Sequence, residues 1–280
     1  MVAPFNSHLV LEQRISDASL KAYCAGFDQN QFRFEPLVDV LTKVIPEFAL
    51  GYHEGKSIPI ELVVEKLREA AATVYTTEKY HKRGEFGELI LHLLLRDFHN
   101  TIPLISKIYF KDSENSVVHG FDGVHITVGG DGKKLWLGES KLYADGKEGV
   151  KELAKDVSNH VNADFLKREF SLLKRKIPED TPDIQYWRDL MAKEQKLENI
   201  FSSIVIPMVC TYSSSLYQNH AEATQQYIDD FSTEIYSLNS IFSDKLIDTN
   251  VEIVLMLLPV PDKSELNAAL DNRLKNMQGI

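Results

Sequence analysis

Apolar positions along the chain switch between two periods. From Ile60 to Val74, the residues Leu62, Val63, Leu67, Ala70, Ala71 and Val74 recur every three or four positions, which predicts a helix. Phe34 to Leu41 reads as an earlier helix start with Pro36 near its first turn, and Gly51 to Pro59 reads as a loop. Gly84 to Phe98 is apolar around most of its circumference, so it predicts a largely buried helix. The period then shortens. Ile105–Phe110, Phe121–Val128 and Leu135–Tyr143 read as strands, the last two joined into a hairpin by Gly129-Gly130-Asp131-Gly132. A long helix is expected from Gly149 to about Leu173, followed by a polar connection over 177–200 that is partly helical between Tyr186 and Glu198. Ile204–Thr211 and Val251–Val260 are continuous apolar runs of the kind buried on both faces of a sheet. Helices are expected over Ala221–Leu238 and Ser264–Met277. Hairpin strands followed by crossover units predict an α/β (α+β) chain with a mixed sheet between helices.

Composition narrows the class. The chain is 44% hydrophobic and 26% charged over 280 residues, which suits one large domain or two small ones. No apolar run approaches the roughly 20 residues needed to cross a bilayer. Met1 to His8 lacks a basic segment followed by an apolar one, so no signal peptide is expected. Cys24 and Cys210 cannot build a disulfide framework or a zinc site by themselves. They read as small buried hydrophobes in a reducing cytoplasm.

The net charge of −10 argues against a general DNA coat, but its distribution matters more. Residues 1–78 carry 7 Lys+Arg against 11 Asp+Glu, residues 79–176 carry 17 against 14, and residues 177–280 carry 7 against 16. Only the middle third is basic, and phosphate binding follows local Lys/Arg density, so a nucleic acid would sit there. The competing reading is chance clustering of solvated charges. Two patches stand out in this third: Lys79, Lys82 and Arg83 before the buried helix, and Lys167, Arg168, Lys174, Arg175 and Lys176 near the end of the long one. Lys or Arg at a helix C-terminus is also favourable for dipole reasons alone.

The chemistry-bearing residues lie in the same third. Asp122 stands near the start of the second strand, in His119-Gly120-Phe121-Asp122-Gly123, and Glu139 and Lys141 stand in the third, in Gly138-Glu139-Ser140-Lys141. Side chains two apart on a strand share a face, so Glu139 and Lys141 project together with Ser140 opposite. Counted from the turn, Asp122 and Glu139 fall at nearly matching positions across the hairpin. Two neighbouring carboxylates attract a hard divalent cation such as Mg²⁺, which commonly takes one or two of them with waters and phosphate oxygens. Such an ion activates water and neutralises phosphate charge, and a lysine ammonium beside it orients the water or stabilises the transition state. Glu88, in the first turn of the buried helix, is the third candidate ligand. The helix dipole is the competing explanation for it, and for Glu85 the better one. An isolated Glu-x-Lys on a strand usually marks a surface salt bridge, so the pattern carries weight only with its Asp-bearing partner strand. His119 and His125 flank Asp122, but without a third ligand they read as loop or surface residues, with His119 placed to approach phosphate. Gly129 to Lys133 lacks the spacing of a P-loop.

Three segments together resemble a known family: Gly84-Glu85-Phe86-Gly87-Glu88, His119-Gly120-Phe121-Asp122-Gly123-Val124-His125 and Leu137-Gly138-Glu139-Ser140-Lys141. They resemble HamA, the nuclease effector family of the bacterial Hachiman anti-phage system, across most of the chain, with 84–141 the specific part. The resemblance implies a PD-(D/E)xK core of restriction-endonuclease type with the order αβββαβ. It implies Asp122, Glu139 and Glu88 as ligands of Mg²⁺, for which Mn²⁺ can substitute, and Lys141 as the residue acting on water or phosphate. It also implies a partner, a superfamily 2 helicase-like ATPase called HamB. That partner holds the nuclease inactive until aberrant DNA ends release it to degrade DNA in abortive infection. Phe121 stands where the commonest superfamily pattern has a proline. On this reading residues 1–78 form a mostly helical N-terminal region. Residues 79–280 form the nuclease domain, with its core at 84–160 and a C-terminal α/β part at 201–280. Two rival readings stay open. One is a catalytically inactive nuclease fold that only binds and regulates a helicase. The other is a free-standing restriction-type endonuclease. A neighbouring helicase gene would favour the helicase-linked readings, and a methyltransferase gene the last.

Overall fold

The two continuous apolar runs become the centre of a seven-stranded sheet in the computed structural model, which describes residues 4–74, 84–106, 120–129 and 132–279. Among the described residues the strands are β1 (Glu12–Ser16), β2 (Leu20–Cys24), the short pair β3 (Phe27–Asp28) and β4 (Gln31–Phe32), β5 (Ile102–Ser106), β6 (Gly123–Val128), β7 (Lys133–Tyr143), β8 (Ile204–Ser213) and β9 (Glu252–Val260). The order across the large sheet is β1-β2-β9-β8-β7-β6-β5, with β3 and β4 pairing separately. β5, β6 and β7 form an antiparallel meander, β7, β8 and β9 run parallel, and β2 joins β9 in parallel. The mixed α/β architecture expected from the sequence is therefore present.

Side-chain alternation along the strands divides the interior into two cores. On β8, Ile204, Ile206, Met208, Cys210 and Tyr212 enter one core, and Val205 and Val209 enter the other. On β7, Leu135 and Leu137 enter the first, and Trp136 and Leu142 the second. The first core is covered by α5 (Gly146–His160), α6 (Ala163–Leu173) and α10 (Gln225–Ser243). The second is covered by α1 (Phe34–Leu50), α3 (Val63–Val74), α4 (Glu85–Phe98) and α11 (Lys263–Gly279). Each fully buried Leu, Ile or Phe contributes about 1.5–3 kcal/mol relative to its exposed state. The continuous apolar runs follow from covering the sheet on both faces.

Several expectations are refined. Strand β5 begins at Ile102, and residues 107–110 of the expected strand lie outside the described residues. The helix expected as one piece from Gly149 to Leu173 is two. Asn162 takes extended backbone, and its side chain accepts hydrogen bonds from the Asp164 and Phe165 amides, which starts α6 afresh. The loop at 51–59 contains a short helix, α2 (Tyr52–Lys56). The N-terminal residues contribute β1 and β2 to the main sheet as well as helices to the second core. The polar connection carries α7 (Ile184–Leu190) and α8 (Leu197–Ile200), and a short α9 (Leu216–Asn219) follows β8. No helix among the described residues is long and apolar enough to cross a membrane.

A buried ionic network ties α1 to α4. Arg96 donates to Glu47 at 2.6 Å through Nε and to the Thr101 carbonyl through its guanidinium, while His92 Nε2 lies 3.0 Å from Glu47 Oε1. Burial opposes the Glu47 charge, but the bonds from His92 and Arg96 prevail and hold its carboxyl below the usual range. His125, expected in a loop or at the surface, is instead buried, with Nδ1 2.7 Å from Thr101 Oγ1 and its ring centroid 5.0 Å from that of His92. It lies between Val124 and Ile126, which enter the first core, so pleating turns it beneath α4.

Removing one partner of this buried pair leaves an uncompensated charge. Glu47→Ala is expected to lower unfolding free energy by about 3–5 kcal/mol in urea titrations, and a loss under 1 kcal/mol would contradict the network's role. Burial, with Lys21 adding to it, pushes His99 down to about 4, and burial pushes His125 well below its ordinary 6.5. Both are neutral in the fold and bind protons on unfolding. Their contribution is complete above about pH 6.5 and shrinks as pH falls toward 4. The urea midpoint should therefore drop between about pH 7.5 and about pH 5, and a constant midpoint would contradict this account.

Candidate active site

Glu139 and Lys141 sit side by side on β7, pointing toward α5. Lys141 Nζ is 2.8 Å from Glu139 Oε1 and 2.6 Å from Asp156 Oδ2 on α5. His160, one helical turn beyond Asp156, places Nε2 3.8 Å from Glu139 Oε2. Burial opposes the Lys141 charge, but Glu139 and Asp156 prevail and hold its pKa above the ordinary lysine range, so it stays an ammonium.

Asp122 directly precedes β6. The register pairs Gly123 with Gly138, and the Asp122 amide donates to the Gly138 carbonyl at 2.9 Å. Asp122 thus stands opposite Glu139, as counting from the turn predicts. Its carboxylate turns to the strand edge, where Oδ2 accepts from the Ser140 amide at 2.9 Å and the Ser140 hydroxyl at 2.8 Å. Ser140 points to the α4 side, opposite Glu139 and Lys141. Sequence reasoning placed Ser140 on that face but assigned it no role. It also missed Asp156 and His160, whose only signal was an i, i+4 pair on a helix expected to follow the Glu-x-Lys strand.

Two close approaches bring the helices to this strand. Leu91 of α4 rests on Gly138, where an added Cβ would lie 2.8 Å from Leu91 Cδ2. Gly149 of α5 rests on Cys210 of β8, where an added Cβ would lie 2.5 Å from Sγ. The absence of a side chain at each position sets the distance between helix and sheet.

Glu88 is buried in the first turn of α4, next to Gly87, where an added Cβ would lie 3.2 Å from the Ser140 hydroxyl. It therefore belongs to the layer opposite α5. Among the described residues no three His, Cys, Asp or Glu side chains are gathered so as to hold a metal ion. Glu85 is also buried. Lys79, Lys82, Arg83, His119 and the turn residues Gly130 and Asp131 lie outside the described residues. Cys24 and Cys210 are buried free thiols, and burial pushes Cys210 up to about 12.

The fold and site define a mixed α/β protein with an acid–lysine pair on the strand where an antiparallel meander meets a parallel sheet. The family model of HamA matches residues 3–274, nearly the whole chain, so the chain belongs to the HamA family and to Hachiman defence. No curated protein matches it.

The contact between Gly149 and Cys210 generates a paired prediction. Gly149→Ala should cost about 1–3 kcal/mol in unfolding free energy by forcing α5 off β8. Adding Cys210→Ala should recover part of that loss, because the second change vacates the space the first one fills. Additive losses in calorimetric melts would argue against this contact.

Proposed function

We propose that this HamA chain is a magnesium-dependent DNA nuclease, kept in check by a helicase-like ATPase partner of the HamB kind and released to degrade DNA during infection. The observation that carries the reading is the Glu139–Lys141 pair on β7, opposite Asp122 in the hairpin register. The element order α4-β5-β6-β7-α5, with β8 following after α6, α7 and α8, agrees with the αβββαβ order of a PD-(D/E)xK core and supports the same reading.

The donor chemistry fits a hard cation. Asp122 and Glu139 offer carboxylate oxygens only, and Mg²⁺ takes one or two such groups, completing its shell with water and substrate phosphate. Those two residues would hold the ion, with Mn²⁺ as a substitute and Glu88 approaching from α4. When bound, the ion supplies charge neutralisation on the phosphate and a more acidic water. Ser140 fixes the Asp122 carboxylate through two hydrogen bonds. Lys141, kept charged between Glu139 and Asp156, carries a compact cation able to orient water or stabilise charge on the phosphate. The acidic first and last thirds of the chain suit a protein that does not engage DNA freely and docks on another protein.

A plasmid-degradation assay with Mg²⁺ tests the proposal, using the chain alone and with its helicase partner plus ATP. Lys141→Ala and Glu139→Ala should each lower cleavage by at least about 100-fold with little change in melting temperature. Mg²⁺ or Mn²⁺ should raise the melting temperature of the wild-type chain. Cleavage retained in Lys141→Ala would sink the assignment. No cleavage under any condition, with normal partner binding, would leave an inactive regulatory module in its place.

A further inference from the structure

A run of planar side chains leads outward from Glu139. His160 faces Glu139 and packs against Phe165 with ring centroids 5.1 Å apart and planes inclined by 29°. Phe121, next to Asp122, closes the group, with its centroid 4.7 Å from His160 and 5.6 Å from Phe165. The Arg168 guanidinium lies over Phe165, 5.3 Å from the ring centroid, and that side chain is 62% exposed. The series begins at a buried catalytic candidate and ends at a charged planar group in solvent.

Helix α6 orders this series. Asn162 caps its first turn and binds the Phe165 amide, fixing where that ring starts. Beyond Phe165 the helix carries Lys167, Arg168 and Ser171 at intervals of three and four, and the turn after it carries Lys174 and Arg175, whose guanidinium donates back to Ser171. Residues 163–176 carry five basic and two acidic side chains in a chain whose net charge is −10. Local positive charge against a negative whole makes this stripe a place where phosphates gather.

We propose that Arg168, backed by Phe165, and the basic residues of α6 and of the turn after it form a track for single-stranded nucleic acid, which brings an unpaired strand to Glu139 and Lys141. The last clause rests on the nuclease reading; the binding itself does not. His160 and Phe121 are buried and Phe165 is half-buried against the core, so the plane offered to solvent is the Arg168 guanidinium; such a plane stacks on bases, and only unpaired bases present a free face. Basic residues along one helix follow a single phosphate backbone. The shared ligand chemistry is an unpaired base with a flanking phosphate, in either a DNA or an RNA strand.

Fluorescence anisotropy in EDTA measures this binding without cleavage. The probes are labelled oligo(dT) and oligo(rU) of about 15 nucleotides and a duplex of equal length, titrated with the full chain. A single strand is expected to bind more tightly than the duplex, and the tighter of the two single strands identifies the ligand. Arg168→Gln, an exposed change, should weaken single-strand binding about tenfold and leave the melting temperature unchanged. Phe165→Leu should do the same, with its melting curve as the folding control. Lys167→Gln and Arg175→Gln should each reduce the salt slope by about 1. Equal affinity for duplex and single strand, or full affinity in Arg168→Gln, overturns the track. Single-strand binding with the Arg168 dependence but no Mg²⁺-dependent cleavage sustains the track and sinks the nuclease reading. Cleavage without that binding does the reverse.

Discussion

β7 outlasts its neighbour, and the site follows from that mismatch. It spans eleven residues where β6 spans six, and the pairing between them reaches Gly138 and stops. Past Gly138, β7 continues beside β8 alone, so the Ser140 amide faces an edge that β6 has left. A buried amide needs a partner, and the Asp122 carboxylate takes it together with the Ser140 hydroxyl. The acid just before β6 is thus held against the strand carrying Glu139 and Lys141. The same strand completes a parallel ladder with β8 through Tyr143, which keeps its far half rigid where β6 no longer supports it.

Helices from both layers converge on this half-strand. Leu91 of α4 settles on Gly138 from one side, and α5 settles through Gly149 on Cys210 from the other. The second contact carries Asp156 and His160 over Lys141 and Glu139. α4 is in turn anchored to α1 by Glu47, His92 and Arg96, and β2 pairs with β9. The first fifty residues therefore act as part of the scaffold that positions the site. A charge pair this deep adds little net stability against an apolar replacement, but either half alone is costly, and that asymmetry keeps the two helices in one arrangement.

Electrostatics sorts the molecule in the same way. Basic residues concentrate in the middle third, where α6 presents them, and acidic residues dominate on either side. Lys141 is paired with two of the acids and is held charged by them. On the proposed nuclease reading, a locally basic stretch within an acidic body suits a chain that meets DNA only under control.

The sequence by itself determined the strands after residue 100, most helices and the hairpin register, because two-residue and four-residue periodicities are local properties of side-chain placement. It also determined that Glu139 and Lys141 share a face, since pleating requires it, and that Asp122 stands opposite Glu139, since the turn sets the count. The break at Asn162 was missed because the apolar period runs through it, while one side-chain cap restarts the helix. The hairpin at 12–24 was missed, and its place in the main sheet rests on β9, more than two hundred residues away. Tertiary structure alone decided that Ser140 binds Asp122, that Asp156 and His160 join the site, that His125 is interior, and that Glu88 comes from the opposite layer. Each depends on how closely a helix approaches the sheet. That distance is set by contacts such as Leu91 on Gly138 and Gly149 on Cys210, between residues whose proximity no local pattern encodes.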